Sequence, residues 1–217
     1  MADLLFKKLI IILCAMVFIC HGANAYETSF PFPFEFGHSS DIYLETRKIE
    51  TKETRQKSQI AQDLLIDKGI KKTPEAFVKY IKKNDYRAVK LLLDAGFDPN
   101  TCVYANYLIY YAAKYNRNQI LYLLLENGAD PNKDLNSPLR IAIKRKDYAC
   151  AKMLIDYGAN VNYRDGFSNE TLTLTALKKK QYAIFHLLVK NGAKLDDATY
   201  YYIKKKKLED KIGFYLD

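Results

Sequence analysis

The sequence Ile120-Leu121-Tyr122-Leu123-Leu124-Leu125-Glu126-Asn127-Gly128-Ala129-Asp130-Pro131-Asn132 joins an apolar helical run to an abrupt stop. Gly128 has no side chain, so it can close the helix in the left-handed conformation without a steric penalty. Pro131 then prevents the helix from resuming, because its ring lacks a backbone N–H and clashes with the preceding turn. The stretch therefore predicts the end of one helical unit and a turn into the next.

The same pattern occurs three more times and ends each time in a glycine, at Gly96, Gly158 and Gly192. A pattern that returns with a period of about 33 residues is typical of stacked repeats, in which each unit buries its apolar face against the next. We predict four helix-turn-helix repeats at residues 73–100, 101–132, 133–162 and 163–196. Thr73 before Pro74 is a typical helix start.

The segment Ser137-Pro138-Leu139-Arg140-Ile141-Ala142 and the turns 128–132 and 158–162 resemble the helix start and the Gly-Ala-Asp-x-Asn ending of the ankyrin repeat. The resemblance covers residues 73–196, with a degenerate unit up to residue 217. It implies an all-α ankyrin-repeat solenoid of about four repeats with N- and C-terminal capping helices. The family's helix-start histidine is absent from every repeat. The Asp and Gly of the inter-repeat hairpin are largely lost, so we expect irregular hairpins.

Residues 1–25 have the features of a secretory signal peptide. Lys7 and Lys8 precede an uninterrupted apolar run, 9–20, and Ala23-Asn24-Ala25 forms a small-residue cleavage pattern before Tyr26. A membrane anchor is the alternative, but the run is shorter than the span of about 20 apolar residues that a bilayer needs. We therefore predict cleavage after Ala25, no stable membrane span, and a periplasmic or secreted protein.

Residues 26–72 form three predicted parts. Alternating prolines in 29–36 favour an extended arm, which either folds back on the first repeat or contacts a partner. Residues 45–59 contain one strongly apolar residue, Ile49, and form either a solvated helix or a linker. Residues 60–68 form an N-terminal capping helix with an apolar stripe of Ile60, Ala61, Leu64 and Leu65. At the other end, residues 197–217 form a truncated capping repeat.

The composition allows a buried core and favours anionic partners. The 217-residue chain is 49% hydrophobic and carries a formal net charge of +9. Codon bias of an AT-rich genome is a second explanation for the many lysines. Catalytic and metal-binding motifs are absent from the sequence: His38 and His186 are the histidines left after cleavage, and no Cys-x-x-Cys occurs. We predict no enzymatic activity and no cofactor.

The cysteines left after cleavage are Cys102, in a turn, and Cys150, at an apolar helix position. Two free thiols are the simpler prediction, with Cys150 buried as a small apolar side chain. Export would also permit their oxidation.

Basic residues recur at the end of the first helix of each unit. Stacking predicts that they form a continuous basic stripe, and the ankyrin resemblance places it beside the groove that usually binds partners. Cations at helix C-termini also offset the helix dipole by about 0.3–1 kcal/mol each, so a purely local role is an alternative. The basic stripe comprises Lys82, Lys83, Lys114, Lys144, Arg145, Lys178, Lys179, Lys204 and Lys205.

The turns between repeats provide a second candidate surface. They correspond to the exposed hairpin tips that confer specificity in ankyrin proteins, and their sequences differ from one another. Asn169-Glu170-Thr171 also matches the N-glycosylation pattern, which matters only in a eukaryotic secretory pathway. The predicted tip residues are Val103, Tyr104, Asn106, Lys133, Asp134, Asn136, Phe167, Ser168 and Glu170.

Together these features predict an exported, non-enzymatic protein–protein interaction module. It resembles exported ankyrin-repeat proteins of host-associated bacteria, which implies a role in host interaction. The predicted partner is a protein, and the positive charge favours an acidic one; no nucleic acid is expected, and the chain is predicted to be a monomer. The alternative is a basic scaffold on an anionic surface such as lipid headgroups or cell-envelope polymer.

Overall fold

The computed structural model describes residues 39–134, 137–164, 166 and 168–213, with side chains from residue 51 onward. Residues 47–217 form one unit, which contains all the repeats. The predicted signal peptide with Ala23, Ala25 and Tyr26, and most of the extended arm with His38, lie outside the described residues. No helix within the described ranges is both long and apolar enough to cross a bilayer.

The first described element is a single helix of 29 residues, α1, Ser39–Asp67. The linker alternative for residues 45–59 is therefore wrong, because the charged segment and the predicted capping helix are continuous. No proline or glycine interrupts residues 39–67, which explains the continuity. Ala61 and Leu65 are buried in the core, but Ile60 and Leu64 are 53% and 41% exposed, so only half of the predicted stripe packs inward.

Four helix pairs follow, and Thr73, Ser137 and Thr171 cap three of the first helices. Each accepts a hydrogen bond from the backbone N–H three residues later, at 3.2, 3.4 and 3.3 Å. The two helices of each pair are separated by a residue with positive φ, between 57° and 64°, at Asn84, Asn116, Lys146 and Lys180. The pairs are α2 Pro74–Lys83 with α3 Tyr86–Asp94, α4 Leu108–Lys114 with α5 Asn118–Glu126, α6 Pro138–Arg145 with α7 Tyr148–Asp156, and α8 Leu172–Lys178 with α9 Tyr182–Lys190.

Each pair ends at one of the four repeat glycines, with φ between 80° and 86°. The chain there closes in the pattern typical of a left-handed C-cap. At Gly128, for example, its N–H donates to the Leu125 carbonyl at 3.0 Å, and the Ala129 N–H donates to the Leu124 carbonyl at 2.9 Å. The glycines therefore end the second helices as predicted.

Asparagine side chains then link each repeat to the next. The Asn100 amide donates to the Gly128 carbonyl at 2.8 Å, and its oxygen accepts from the Asp130 N–H at 2.9 Å. Asn132 and Asn162 make the same two contacts one repeat further on. We refer to Asn100, Asn132 and Asn162 as the asparagine clips. Each clip satisfies two backbone groups of the neighbouring repeat.

One continuous core runs from α1 to the C-terminal helices. Its repeating members, Leu92, Leu124, Leu154 and Leu188, are all fully buried in this single core. The prediction of an all-α solenoid is therefore confirmed.

The strands within the described residues are β1, Cys102–Val103, and β2, Asn106–Tyr107. They pair as a regular two-residue hairpin, in contrast to the irregular one expected. Tyr104 and Ala105 at its tip have φ of 48° and 61°, the values that such a turn requires. The hairpin therefore forms without the usual glycine.

The C-terminal cap consists of α10, Asp197–Lys206, and the short α11, Glu209–Ile212. Asp196 caps α10, accepting hydrogen bonds from the Thr199 N–H at 3.0 Å and the Thr199 hydroxyl at 2.5 Å. Ile203, Leu208 and Ile212 are buried against the fourth repeat. Phe214 and Leu216, predicted to belong to the cap, lie outside the described residues.

Candidate partner-binding surface

The structure places the predicted basic stripe at the first-helix ends of consecutive units. Lys82 and Lys83 end α2, and Lys114 ends α4. The next members lie at the equivalent places: Lys144 and Arg145 in α6, Lys178 and Lys179 in and directly after α8, and Lys204 and Lys205 in α10. All nine side chains are exposed.

An aromatic side chain brings together the cations of the first two repeats. The Lys82 ammonium lies 5.6 Å from the centre of the Tyr115 ring, and the Lys114 ammonium lies 5.9 Å from the same ring. Lys114 also lies 5.3 Å from the Tyr110 ring. A hydrogen bond with the Tyr110 hydroxyl raises the pKa of Lys114. The Lys114 side chain is therefore charged and held against two rings.

A recess of about 340 Å³ lies between α4 and α6 within the basic stripe. Tyr110 and Ile141 are half-buried in its wall, and Lys114, Lys144 and Arg145 carry positive charge around it. The full lining is Tyr110, Lys114, Ser137, Arg140, Ile141, Lys144 and Arg145. The recess therefore combines apolar walls with a cationic rim.

Most cations of the stripe have no acidic neighbour in the part of the chain that the structure describes. No carboxylate oxygen there lies within 4.0 Å of Lys82, Lys83, Lys114, Lys144 or Arg145. Lys178 differs, because its ammonium lies 3.5 Å from the Glu170 carboxylate. The first three repeats thus present positive charge that the described carboxylates do not neutralise.

Two predicted tip residues are structural and do not form part of an exposed surface. Val103 is only 4% exposed, because its position in β1 turns the side chain toward the core. Asp134 is only 3% exposed, and its carboxylate accepts a hydrogen bond from the Tyr107 N–H at 2.8 Å. Asp134 therefore links two successive turns. A buried carboxylate needs hydrogen-bond donors, and the Tyr107 N–H is one of them. Both side chains were predicted to contact a partner, but the structure buries them.

The other tip residues are accessible to different degrees. Tyr104 is 74% exposed at the end of the hairpin. Lys133 is exposed beside the Tyr107 ring, at 5.8 Å, and Ser168 is also exposed. Asn106 is half-buried, donating to the Tyr104 carbonyl at 3.0 Å, and Glu170 is half-buried beside Lys178. Asn136 and Phe167 lie outside the described residues.

Sequence reasoning missed Tyr110, Tyr115 and Arg140 as parts of the basic surface. A usable signal was present, because Tyr110 precedes Lys114 by one helical turn and therefore shares its face.

The histidine and the two cysteines of the described repeats lie outside the basic stripe. No group of three His, Cys, Asp or Glu side chains there is placed to hold a metal ion. His186 lies edge-on to Phe185, with 5.8 Å between the ring centres. Cys102 and Cys150 are both free, and burial raises the pKa of the Cys150 thiol from 9.0 to about 12.

The fold defines a stacked helical-repeat protein. Residues 76–165 match the family model described as ankyrin repeats, in three copies, and the stacked helix pairs are consistent with an ankyrin solenoid. Such repeats generally mediate protein–protein interaction, and proteins built from them are generally non-enzymatic binding modules.

Similar proteins carry the same repeats. Human ankyrin repeat and SOCS box protein 2 is 36% identical over 81 residues, which cover 33% of this chain and 13% of that protein. Two putative ankyrin repeat proteins of fowlpox virus are 30% and 31% identical over 118 and 135 residues. Those alignments cover 52% and 58% of this chain, and 16% and 17% of the viral proteins. The chain thus spans less than a quarter of the length of these relatives.

Proposed function

We propose that this chain is an exported interaction module that binds an acidic protein partner through the basic stripe. The observation that carries the proposal is the run of exposed cations on three successive repeats without a described carboxylate within 4.0 Å. A local role at helix ends accounts for where the cations lie, but it does not account for the recess between Lys114 and Lys144. Apolar walls within a cationic rim suit a protein side chain.

Binding would combine electrostatic steering with surface complementarity. Positive potential along the stripe raises the association rate for an acidic partner, and salt screens this effect. Tyr104, which extends from the hairpin, would provide a second contact of large area, as tyrosine does in many binding surfaces. We therefore expect affinity to fall steeply as the salt concentration rises.

Export is the part of the proposal that rests on residues 1–25 alone, through their cationic, apolar and small-residue segments. An exported module with a basic binding face would meet proteins outside its own cytoplasm, including those of a host. N-terminal sequencing of the protein recovered from the native cell would test cleavage after Ala25. Retention of the uncleaved N-terminal segment in the cytoplasm would contradict export.

Cross-linking in the native cell tests partner binding. A photoreactive amino acid at Tyr104 should capture a protein that mass spectrometry identifies. The double variant Lys83→Glu and Lys144→Glu should lose this capture. The control double variant, Lys68→Glu with Lys71→Glu, lowers the net charge by the same amount outside the stripe and should retain the capture. Equal capture by both double variants would contradict the role of the stripe. If neither captures protein and the wild-type chain instead binds anionic vesicles, the scaffold alternative is favoured.

A further inference from the structure

We infer that the partner presents an extended acidic segment whose carboxylates recur at every third residue, with one of them seated in the recess between α4 and α6. This inference rests on the proposed function, because it specifies the partner of the same surface. It goes further by giving the conformation and the charge spacing of the bound segment.

The spacing follows from how the first helices pack. Helix α2 packs against α4, α4 against α6, and α6 against α8, so the stripe advances by one helix per repeat. Packed helices lie about 8–10 Å apart. A chain in the extended polyproline II conformation advances about 3.1 Å per residue with three residues per turn, so about three residues span one repeat and every third side chain lies on the same face. A carboxylate at positions i, i+3 and i+6 would therefore meet a new cation each time.

The cations of neighbouring repeats lie close to common side chains, so they follow the order of the repeats along the stack. Lys82 and Lys114 lie on adjacent units but share the Tyr115 ring, at 5.6 and 5.9 Å. Lys114 and Lys144 then line the same recess. Three successive repeats are thus joined by shared neighbours, and the positive charges follow one another from repeat to repeat. Such a succession of charges favours a linear partner.

The recess itself favours a carboxylate on a methylene stem. The Tyr110 ring and the Ile141 side chain are half-buried and would contact the CH₂ groups of an entering side chain. Lys114, Lys144 and Arg145 would surround its carboxylate, and Arg can bind a carboxylate through two parallel hydrogen bonds. A glutamate side chain meets both requirements. A lipid headgroup would meet only the second, because a planar bilayer presents no stem to the recess.

Two synthetic peptides test the spacing against the full-length chain. Both have the same length and the same composition, with five glutamates among glycines and serines. One places a glutamate at every third position, and the other places the five glutamates together. Fluorescence anisotropy of labelled peptides at low salt should show about tenfold tighter binding of the spaced peptide. Lys144→Glu should remove this preference, and Lys144→Gln should reduce it, whereas Lys68→Glu should leave it unchanged.

The outcomes separate this inference from the proposed function. Equal affinity for the two peptides would overturn the spacing while leaving charge-driven binding intact. Failure of both peptides to bind, with protein capture at Tyr104 preserved, would overturn the acidic segment but not the binding role. Binding to vesicles of anionic phospholipid that Lys144→Glu abolishes, without binding to either peptide, would assign the stripe to a membrane surface. Circular dichroism of each variant confirms that the helices are retained.

Discussion

The side-chain amide of Asn132 donates a hydrogen bond to the Gly158 carbonyl oxygen at 2.9 Å, across the boundary between two repeats. The amide oxygen of the same side chain accepts from the Asn160 N–H at 2.7 Å. One side chain thus occupies a donor and an acceptor of the next turn. Because repeat proteins gain stability from interfaces between neighbouring units, this asparagine clip should contribute to the coupling of the second and third repeats.

Replacing Asn132 by alanine should therefore destabilise the protein. We expect the free energy of unfolding to fall by about 1–2 kcal/mol, because two backbone groups lose their partners. Urea unfolding followed by circular dichroism measures the change. Asn191→Ala is the matched control, since among the described residues the Asn191 amide donates to the Leu187 carbonyl in its own helix and makes no contact across repeats. Equal losses for the two variants would show that the contact across repeats adds nothing.

Replacing Gly128 by alanine should destabilise the protein because of the backbone conformation at this residue, not because the added methyl group meets other atoms. Its φ is +86°, and no atom lies within 4 Å of the position that a Cβ would occupy. Gly128→Ala should lower the free energy of unfolding by about 1–2 kcal/mol through left-handed strain. Gly166 has equally open surroundings but no positive φ, so Gly166→Ala should be close to neutral. Thermal unfolding compares the two, and similar losses would contradict an origin in the left-handed backbone of Gly128.

Replacing Ala105 in the hairpin by glycine should stabilise the protein, in contrast to the replacement of Gly128 by alanine. Its φ is +61°, and the preceding Tyr104 also has positive φ, at +48°. Turns of this kind favour glycine at the second position. Ala105→Gly should therefore raise the free energy of unfolding by about 0.5–1 kcal/mol. Ala183→Gly, at an exposed position of helix α9, should lower it. A loss in both variants would contradict the strain at the hairpin tip.

The two thiols should differ sharply in reactivity. Iodoacetamide at pH 8 should modify Cys102, which is exposed, and leave Cys150 unmodified, because burial raises the pKa of Cys150 from 9.0 to about 12. Peptide mapping by mass spectrometry distinguishes the two sites. In guanidinium chloride both should react. Rapid modification of Cys150 in the folded protein would show that helix α7 opens readily.

The same pKa shift gives a dependence of stability on pH. The unfolded thiol loses its proton near pH 9.0, before the native thiol does so near pH 12. The unfolded state binds fewer protons in that window, so stability should decrease as the pH rises from about 9 to about 12. Below pH 9 the contribution of Cys150 is fully present. Urea unfolding of Cys150→Ala across this range would show a smaller slope than the wild-type protein.

Local sequence signals were sufficient for the helices, because each boundary depends on one or two residues. Thr73 and Pro74 identify the start of α2, and Gly128 identifies the end of α5. The continuity of α1 was harder to predict, since a charged segment with little apolar periodicity is compatible with a helix and a linker. The asparagine clips join parts of the chain that are far apart in sequence, and no local pattern indicates which backbone group a side chain will bind.

Part of the candidate surface could be predicted from the sequence, as was the case for the fold. The positions of Lys82, Lys114 and Lys144 followed from the period, because equivalent helix ends must be neighbours in a stack. The period did not predict which side chains of the turns are exposed, because the direction of a side chain in a short strand depends on the register of the hairpin. Val103, in β1, therefore proved to be buried, and Asp134 is buried where its carboxylate accepts the Tyr107 N–H. The recess arises from two helices together, so no single segment predicts it.

Asp196 stands where the three earlier repeats carry an asparagine, and it caps helix α10 of its own unit. A carboxylate cannot donate a hydrogen bond to a following glycine carbonyl, as an amide does. The series of asparagine clips therefore ends at this position. A middle repeat duplicated after residue 196 would lack an asparagine clip to its neighbour unless Asp196→Asn supplied one, whereas an insertion between the second and third repeats would find a compatible amide on both sides.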